Sequence, residues 1–301
     1  MVDLPVHPSA GELLADLADL SRLADLAAAQ GGIAAELLAR LDVRGFGAAE
    51  RVVLVSAASL EAERLGDVAV RPEHLVLGWV RAAEESGARP PGAPGLDAVR
   101  EELQALMADR AHAQYEQLRP ILRPDAVRRP RTILLAGVPG TGKSTLAEAL
   151  AWRLTAPVFS MDWQLGALVP FGALRSDNTP HLAEVNLTAS VARQLQLGLD
   201  VIVDATGHRR ETRRRWRSVT ERLGGVFVGV ECVCSDEWVQ RGRVEGRARG
   251  IPGWHPTVSW EHVLRMKQQW ESWDDPRLVV DSAIEPPEVG LRRVLDHYRS
   301  S

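Results

Sequence analysis

Cysteine is nearly absent: the 301 residues hold two, Cys232 and Cys234. Two thiols cannot build the disulfide framework of a small secreted domain. They lie two apart on an apolar run, residues 225–234, and so share one face of a strand. A zinc site needs more ligands than this, which leaves them as small buried hydrophobes. Long apolar runs are missing too. No stretch approaches the length of a membrane span. The first ten residues carry Pro5 and Pro8 and no apolar segment of signal-peptide type, so a cytoplasmic chain with no membrane partner is expected. Strong charge of either sign is also lacking. A net charge of −4 gives no global attraction to nucleic acid or to an anionic surface. What is present, 45% hydrophobic and 25% charged residues, is the balance of a globular chain long enough for two cores.

One stretch stands out against this background. Gly137, Val138, Pro139, Gly140, Thr141, Gly142, Lys143 and Ser144 fit G-x-x-x-x-G-K-S, the Walker A pattern, with Thr145 next. Residues 132–136 before it form an apolar run that reads as a buried strand. Residues 144–153 after it place apolar side chains at helical spacing. The glycines let backbone N–H groups wrap around phosphates, and the helix N-terminus adds the positive end of a dipole. Lys143 is expected to reach the β- and γ-phosphates of ATP, and the Ser144 hydroxyl to ligate Mg²⁺. A chance glycine-rich turn is the alternative, but it has no reason to fall between a strand and a helix with every fixed position filled.

Breaker residues punctuate the chain at 90–95 and again at 119–130. The second stretch is placed as a linker between an all-helical domain, residues 1–118, and a kinase-type domain, residues 131–301. Helices are expected over residues 12–29, 48–65 and 72–83, with Pro72 in a first helical turn. Beyond the linker, strands alternate with helices, which argues a parallel sheet. The expected fold is therefore α/β: a P-loop-type parallel sheet with flanking helices, preceded by an all-α domain.

Residues 44–107 resemble one repeat of the Clp amino-terminal domain. The likeness runs through residues 44–48, 51–54, 60–66, 70–78 and 96–100. It implies a small helical module that docks adaptors or unfolded substrates, hence a protein partner. The complete module has two repeats, and one clear copy is present here. A scaffold that merely packs stays open beside that reading. His74 reads either as a site residue or as a packing and hydrogen-bonding residue at a helix start.

Residues 158–162 read as the second strand with Asp162 at its carboxyl end, the edge where open α/β sheets hold ligands. A carboxylate there can take the proton of an attacking hydroxyl. It can also cap the helix that begins near Trp163. Residues 199–204 read as a third strand ending in Asp204, Walker-B-like, which would hold the metal through water or orient the acceptor. Thr206 and His208 follow it. After a fourth strand at 225–234, Arg241, Arg243, Arg247 and Arg249 crowd a short helix and loop. They form either a cationic lid or a solvated face. Arg243 and Arg247 are one helical turn apart and could converge. A fifth strand at 277–281 is followed by a loop placed to touch adenine. The basic helix at 208–217 could track a phosphate backbone or lie solvated outside the sheet. Trp254, Trp260, Trp270 and Trp273 near the lid could stack bases or simply pack.

From about residue 130 onward the chain resembles the P-loop kinase group of polynucleotide kinases, chloramphenicol phosphotransferase and zeta-type toxins. The residues that carry this are 137–144, 160–162, 203–206, 241–247 and 280–282. The resemblance implies that Lys143 and Ser144 bind ATP and Mg²⁺, and that Asp162 is the general base. It makes Arg243 and Arg247 lid arginines, with Arg241 at the nucleotide. Asp162, Arg175, Thr206 and His208 are expected to line the acceptor pocket, and Asp204 to sit on the metal side. One departure matters: Leu165 stands where polynucleotide kinases of this group tend to carry an arginine for a nucleic-acid phosphate. A small-molecule or nucleoside-like hydroxyl acceptor is therefore expected first, and a 5′-hydroxyl polynucleotide second. An ATP-gated protein-interaction switch is the reading from another class, and it has no need of a base at Asp162.

Overall fold

The computed structural model describes residues 4–15, 20–41, 46–47, 49–121, 128–175, 178–246, 250–252 and 258–301. The chain divides into two compact units, Met1–Arg110 and Ala111–Ser301.

The first unit is helical in its described residues: α1 (Pro8–Ala15), α2 (Leu20–Gln30), α3 (Ile33–Arg40), α4 (Arg51–Leu65), α5 (Pro72–Glu85) and most of α6 (Leu96–Glu116), which runs on into the second. Leucines at helical spacing, among them Leu13, Leu23, Leu37, Leu54, Leu75 and Leu103, are removed from solvent in one core. The α4–α5 pair approaches so closely that a Cβ on Gly78 would lie 2.6 Å from the Ala58 backbone nitrogen. Between the helices Glu61 is fully buried, and Arg81 and Arg100 each donate to it at 2.9 Å. His74 is 1% exposed, and its Nδ1 accepts the Arg71 N–H at 3.0 Å. It therefore ties down the start of α5, the second of the two uses open to it.

The second unit is built on five parallel strands: β1 (Arg131–Ala136), β2 (Val158–Ser160), β3 (Val201–Ala205), β4 (Val226–Val233) and β5 (Leu278–Asp281), in the order β2-β3-β1-β4-β5. The described helices between and after them are α7 (Lys143–Leu154), α8 (Met161–Leu168), α9 (Thr179–Gln196), α10 (Arg210–Arg222), α11 (Glu237–Glu245), α12 (Trp260–Gln268) and α13 (Pro287–Ser300). Both sheet faces are covered, which is why the strands read as unbroken apolar runs. Alternate residues serve opposite cores. Leu134, Ala136, Val201 and Val203 pack with α9 and α10, and Tyr115 and Leu118 join them. Ile133, Leu135, Ile202 and Val228 pack with α7 and α13.

Two expectations change here. The second strand stops at Ser160, so Asp162 lies in the first turn of α8 and not at a strand end. A short strand followed at once by a helix leaves no loop for it. The basic helix is not a solvated or nucleic-acid-facing surface throughout: α10 buries Arg213 and Trp216 against the sheet.

Candidate active site

The strand β1 ends in the middle of the sheet, with β3 and β4 as its neighbours. The loop that leaves it must pass between their ends. Gly137 does so with no side chain to place: a Cβ there would collide with the Cys232 carbonyl and come within 2.8 Å of Thr141 Oγ1. Its N–H donates to the Thr206 carbonyl at 2.9 Å. Gly140 and Gly142 both take φ +84°, a left-handed conformation that glycine adopts without strain. Thr141 Oγ1 donates to the Val138 carbonyl at 2.9 Å, and Lys143 Nζ donates to the same carbonyl at 3.0 Å. Lys143, Ser144 and Thr145 then open α7, so the helix N-terminus faces the loop.

A cavity of about 490 Å³ adjoins this loop. Residues 140–145 form one wall, and the segment after β5, with Ser282, Pro286 and Pro287, forms another. Leu146, Val280 and Leu291 make its floor apolar. Its size and its mixture of apolar wall and few polar groups suit a nucleoside-sized ligand. Arg243 lines the same cavity. Its guanidinium donates to Ser282 Oγ at 2.7 Å, to the Ser282 carbonyl at 3.1 Å and to the Gly140 carbonyl at 3.4 Å. Three residues earlier on α11, buried Gln240 donates through Nε2 to the Pro139 carbonyl at 2.8 Å. This amide was not singled out in the sequence. Its one signal is that it lies a helical turn before Arg243 and so shares its face. Arg241 points elsewhere: it is exposed and paired with Glu245 at 2.7 Å. Arg247, Arg249 and Trp254 lie outside the described residues.

The acceptor candidates come from the other side of β1. Asp204 is buried on β3, in register with Leu135 of β1 and Ser160 of β2. Asp162 follows β2 directly, half-buried in the first turn of α8, where the helix dipole favours a carboxylate. Leu165, one turn on, is buried. Thr206 is held through its carbonyl to Gly137, and the His208 carbonyl accepts the Glu271 N–H at 3.0 Å. Burial, followed by the charge of Arg209, lowers the His208 pKa. Arg175 precedes α9, with its N–H donating to Asn178 Oδ1 at 2.8 Å. All strands being parallel, Asp162, Asp204, Thr206 and the phosphate-loop candidates leave the sheet at one edge.

The basic helix is spoken for by its own surroundings. Arg213 is 1% exposed and donates to four backbone carbonyls. Arg214 pairs with Asp274, Arg215 with Glu184 at 2.6 Å, and Arg217 with Asp275 at 3.2 Å. Trp260 and Trp273 are buried packing residues. Cys232 is buried, and burial pushes its thiol up to about 12, as suits a packing residue.

A strand, a glycine loop and a helix N-terminus at the centre of a five-stranded parallel sheet define a P-loop nucleotide-binding fold. A family model described as an AAA domain matches residues 132–272. No curated protein matches the chain. Among solved structures, one from Chloroflexus aurantiacus is similar at 22% identity, covering 56% of this chain and 99% of that one, with a TM-score of 0.47. A gluconokinase from Sinorhizobium meliloti 1021 is similar at 22% identity, over 58% of this chain and 99% of that one, with a TM-score of 0.40. The APS kinase of Mycobacterium tuberculosis, solved with AMPPNP and APS, has 19% identity over 57% of this chain and 98% of that one, with a TM-score of 0.43. Among the described residues no helix is long and apolar enough to cross a membrane.

Proposed function

We propose that the unit Ala111–Ser301 is an ATP- and Mg²⁺-dependent kinase that passes the γ-phosphate to a hydroxyl of a small-molecule or nucleoside-like acceptor. The observation that carries this is the sheet order. The central phosphate loop has the nucleoside-sized cavity toward β5, and Asp162 follows β2 toward the opposite end of the sheet. Two substrates can then meet from the two sides of β1.

In this reading the loop amides and Lys143 hold the β- and γ-phosphates, and Arg243 closes the cavity around the base and ribose. The Ser144 hydroxyl and the Asp204 carboxylate are hard oxygen donors that suit Mg²⁺, which would offset charge on the phosphate oxygens. Asp162 accepts the proton of the attacking hydroxyl. Thr206, His208 and Arg175 line the acceptor side.

A nucleic-acid acceptor has less support. Arg214, Arg215 and Arg217 of α10 are paired with Asp274, Glu184 and Asp275, Arg213 is buried on backbone carbonyls, and the Leu165 side chain is buried. The likeness of residues 44–107 to a Clp-type repeat carries the proposal that the amino-terminal unit is a separate module with a protein partner.

The test is transfer from γ-labelled ATP to a panel of nucleosides, sugars, hydroxylated antibiotics and 5′-hydroxyl oligonucleotides. The expected result is labelling of a small acceptor, abolished in Lys143→Ala, with weakened triphosphate binding. Full transfer by Lys143→Ala would overturn the assignment. Preferential labelling of oligonucleotides, with affinity falling steeply in salt, would establish the polynucleotide reading instead.

A further inference from the structure

The guanidinium of Arg213 is almost wholly buried and, among the described residues, makes no hydrogen bond to a carboxylate. One nitrogen donates to the carbonyls of Gly207 at 2.7 Å and His208 at 3.0 Å. The other donates to the carbonyls of Glu271 at 2.8 Å and Ser272 at 3.0 Å. The rings of Trp273 and Trp270 lie 4.7 and 5.7 Å from its central carbon. Burying a charge is costly unless it is hydrogen-bonded. Here the two terminal nitrogens are satisfied by four carbonyls, while the buried Nε has no partner among the described residues, so the four carbonyls are what hold the cation in this place.

The two segments that Arg213 joins have different attachments. Residues 207–208 continue from Asp204 and Thr206, and Thr206 accepts the N–H of Gly137, the first residue of the phosphate loop. Gly207 itself takes φ +57°, and a Cβ there would lie 2.9 Å from Ala136 Cβ, so the close approach of this loop to β1 needs glycine. Residues 271–272 follow α12. Trp260 and Val263 of α12 pack with Val244 of α11 and with Val138 of the phosphate loop. Helix α11 also holds the Pro139 and Gly140 carbonyls through Gln240 and Arg243. The contacts thus close a ring, from phosphate loop to α11, α12, residues 271–272, Arg213, residues 207–208 and back to Gly137.

We infer that Arg213 is a positioning residue: it locks the loop after β3 to the segment after α12, so that the metal-side loop and the phosphate loop keep one relative geometry. It does not line the nucleotide cavity, and it reaches the acceptor side only through the backbone carbonyl of His208. Its forked shape is what the role needs. Lysine offers a single nitrogen and cannot span two pairs of carbonyls on separate segments.

The inference rests on the kinase reading for its catalytic measurement, but a binding measurement tests it independently. Three variants of the full chain serve: Arg213→Lys, Arg213→Met and Arg213→Ala. Folding is checked by circular dichroism and by the urea midpoint. In folded Lys and Met variants, kcat is expected to fall roughly 10- to 100-fold, as for a small misplacement of reacting groups, with little change in KM for ATP. Affinity for a fluorescent ADP without Mg²⁺ is expected to stay near the parent value, while the gain in affinity on adding Mg²⁺ shrinks. In Arg213→Ala, millimolar guanidinium is expected to restore part of both quantities, and the same concentration of potassium chloride to restore neither. Parent-like kcat and parent-like Mg²⁺ response in either folded variant would overturn the inference. So would a loss in Arg213→Ala that guanidinium leaves untouched, which would mark a purely structural role. If the parent labels no acceptor, the kinase reading fails, and the Mg²⁺ response still decides the role of Arg213.

Discussion

Lys143 donates to the Val138 carbonyl, so its ammonium is already stationed over the glycine loop, where a phosphate can compete for it. Asp162 is a different kind of residue: a half-buried carboxylate in the first turn of α8. Removing its charge while keeping its shape separates binding from chemistry. Asp162→Asn should leave nucleotide affinity nearly unchanged and lower transfer by roughly 10²- to 10⁴-fold. Collapse of ATP binding in an isothermal titration would make it a metal or structural residue instead. The same variant addresses the interaction-switch reading, since a switch loses nothing with its base. His112 yields a pH prediction. Burial, then the charges of Arg215 and His181, push its pKa down to about 4 from 6.5, and its Nε2 lies 2.9 Å from an Arg215 nitrogen that can only donate. The folded state therefore keeps the ring neutral. As pH falls below 6.5 the unfolded chain takes up a proton that the fold refuses, so stability drops between about pH 6.5 and pH 4 and levels off below. His112→Gln, which keeps an acceptor and cannot titrate, should flatten that part of the melting-temperature profile. An unchanged slope would assign it to other groups.

Helix α10 shows how one element divides its charges between tasks. Arg213 faces inward onto carbonyls and indoles, Arg214 pairs with Asp274 in solvent, and half-buried Arg217 pairs with Asp275 over the Phe227 ring. The exposed Arg214–Asp274 pair contributes little to stability and is screened by salt, and neither pair lines the nucleotide cavity. Arg214→Ala and Arg217→Ala should therefore leave transfer within about twofold of the parent, with an unaltered salt dependence of acceptor affinity. A marked flattening of the salt slope in either variant would show that a polyanion lies along this helix after all. Helix α11 is divided in a similar way: Gln240 and Arg243 turn toward the phosphate loop, and Arg241 turns to Glu245 in solvent.

At the level of the whole molecule, the boundary between the units has experimental consequences. Tyr115 and Leu118 pack into the core beneath α9 and α10, although they precede the proline-rich stretch. Arg128 donates to Asp200 at 2.7 Å and to the Tyr298 hydroxyl at 2.9 Å, which fastens the start of the sheet to α13. A fragment of residues 111–301 should therefore fold and bind ATP like the full chain. A fragment beginning at residue 128 keeps the phosphate loop but loses two apolar side chains from the core. It should melt at a lower temperature, by an amount worth at most about 3–4 kcal/mol, at roughly 1.5–2 kcal/mol for each large apolar side chain if fully buried. Insolubility of both fragments would make the helical unit an integral packing partner. Equal melting temperatures would show that residues 111–118 are not part of this core.

The sequence by itself determined the phosphate loop, because Walker A chemistry is local. Glycines, lysine and hydroxyl act within eight consecutive residues, and the flanking strand and helix are written in adjacent periodicities. It also determined the alternation of strands and helices, and with it the parallel sheet. It did not determine the strand order, since β2, β3, β4 and β5 are all apolar runs that could neighbour β1 in several ways. Nor did it determine that Asp162 belongs to a helix, because a three-residue strand leaves too little pattern to fix its end. The arginines were the least legible. Arg213, Arg214 and Arg215 are consecutive and identical in type, yet one is buried on carbonyls, one is paired in solvent and one is shared between Glu184 and His112. Successive positions on a helix point about 100° apart, and only the packing of α10 on the sheet decides which of those directions is the interior.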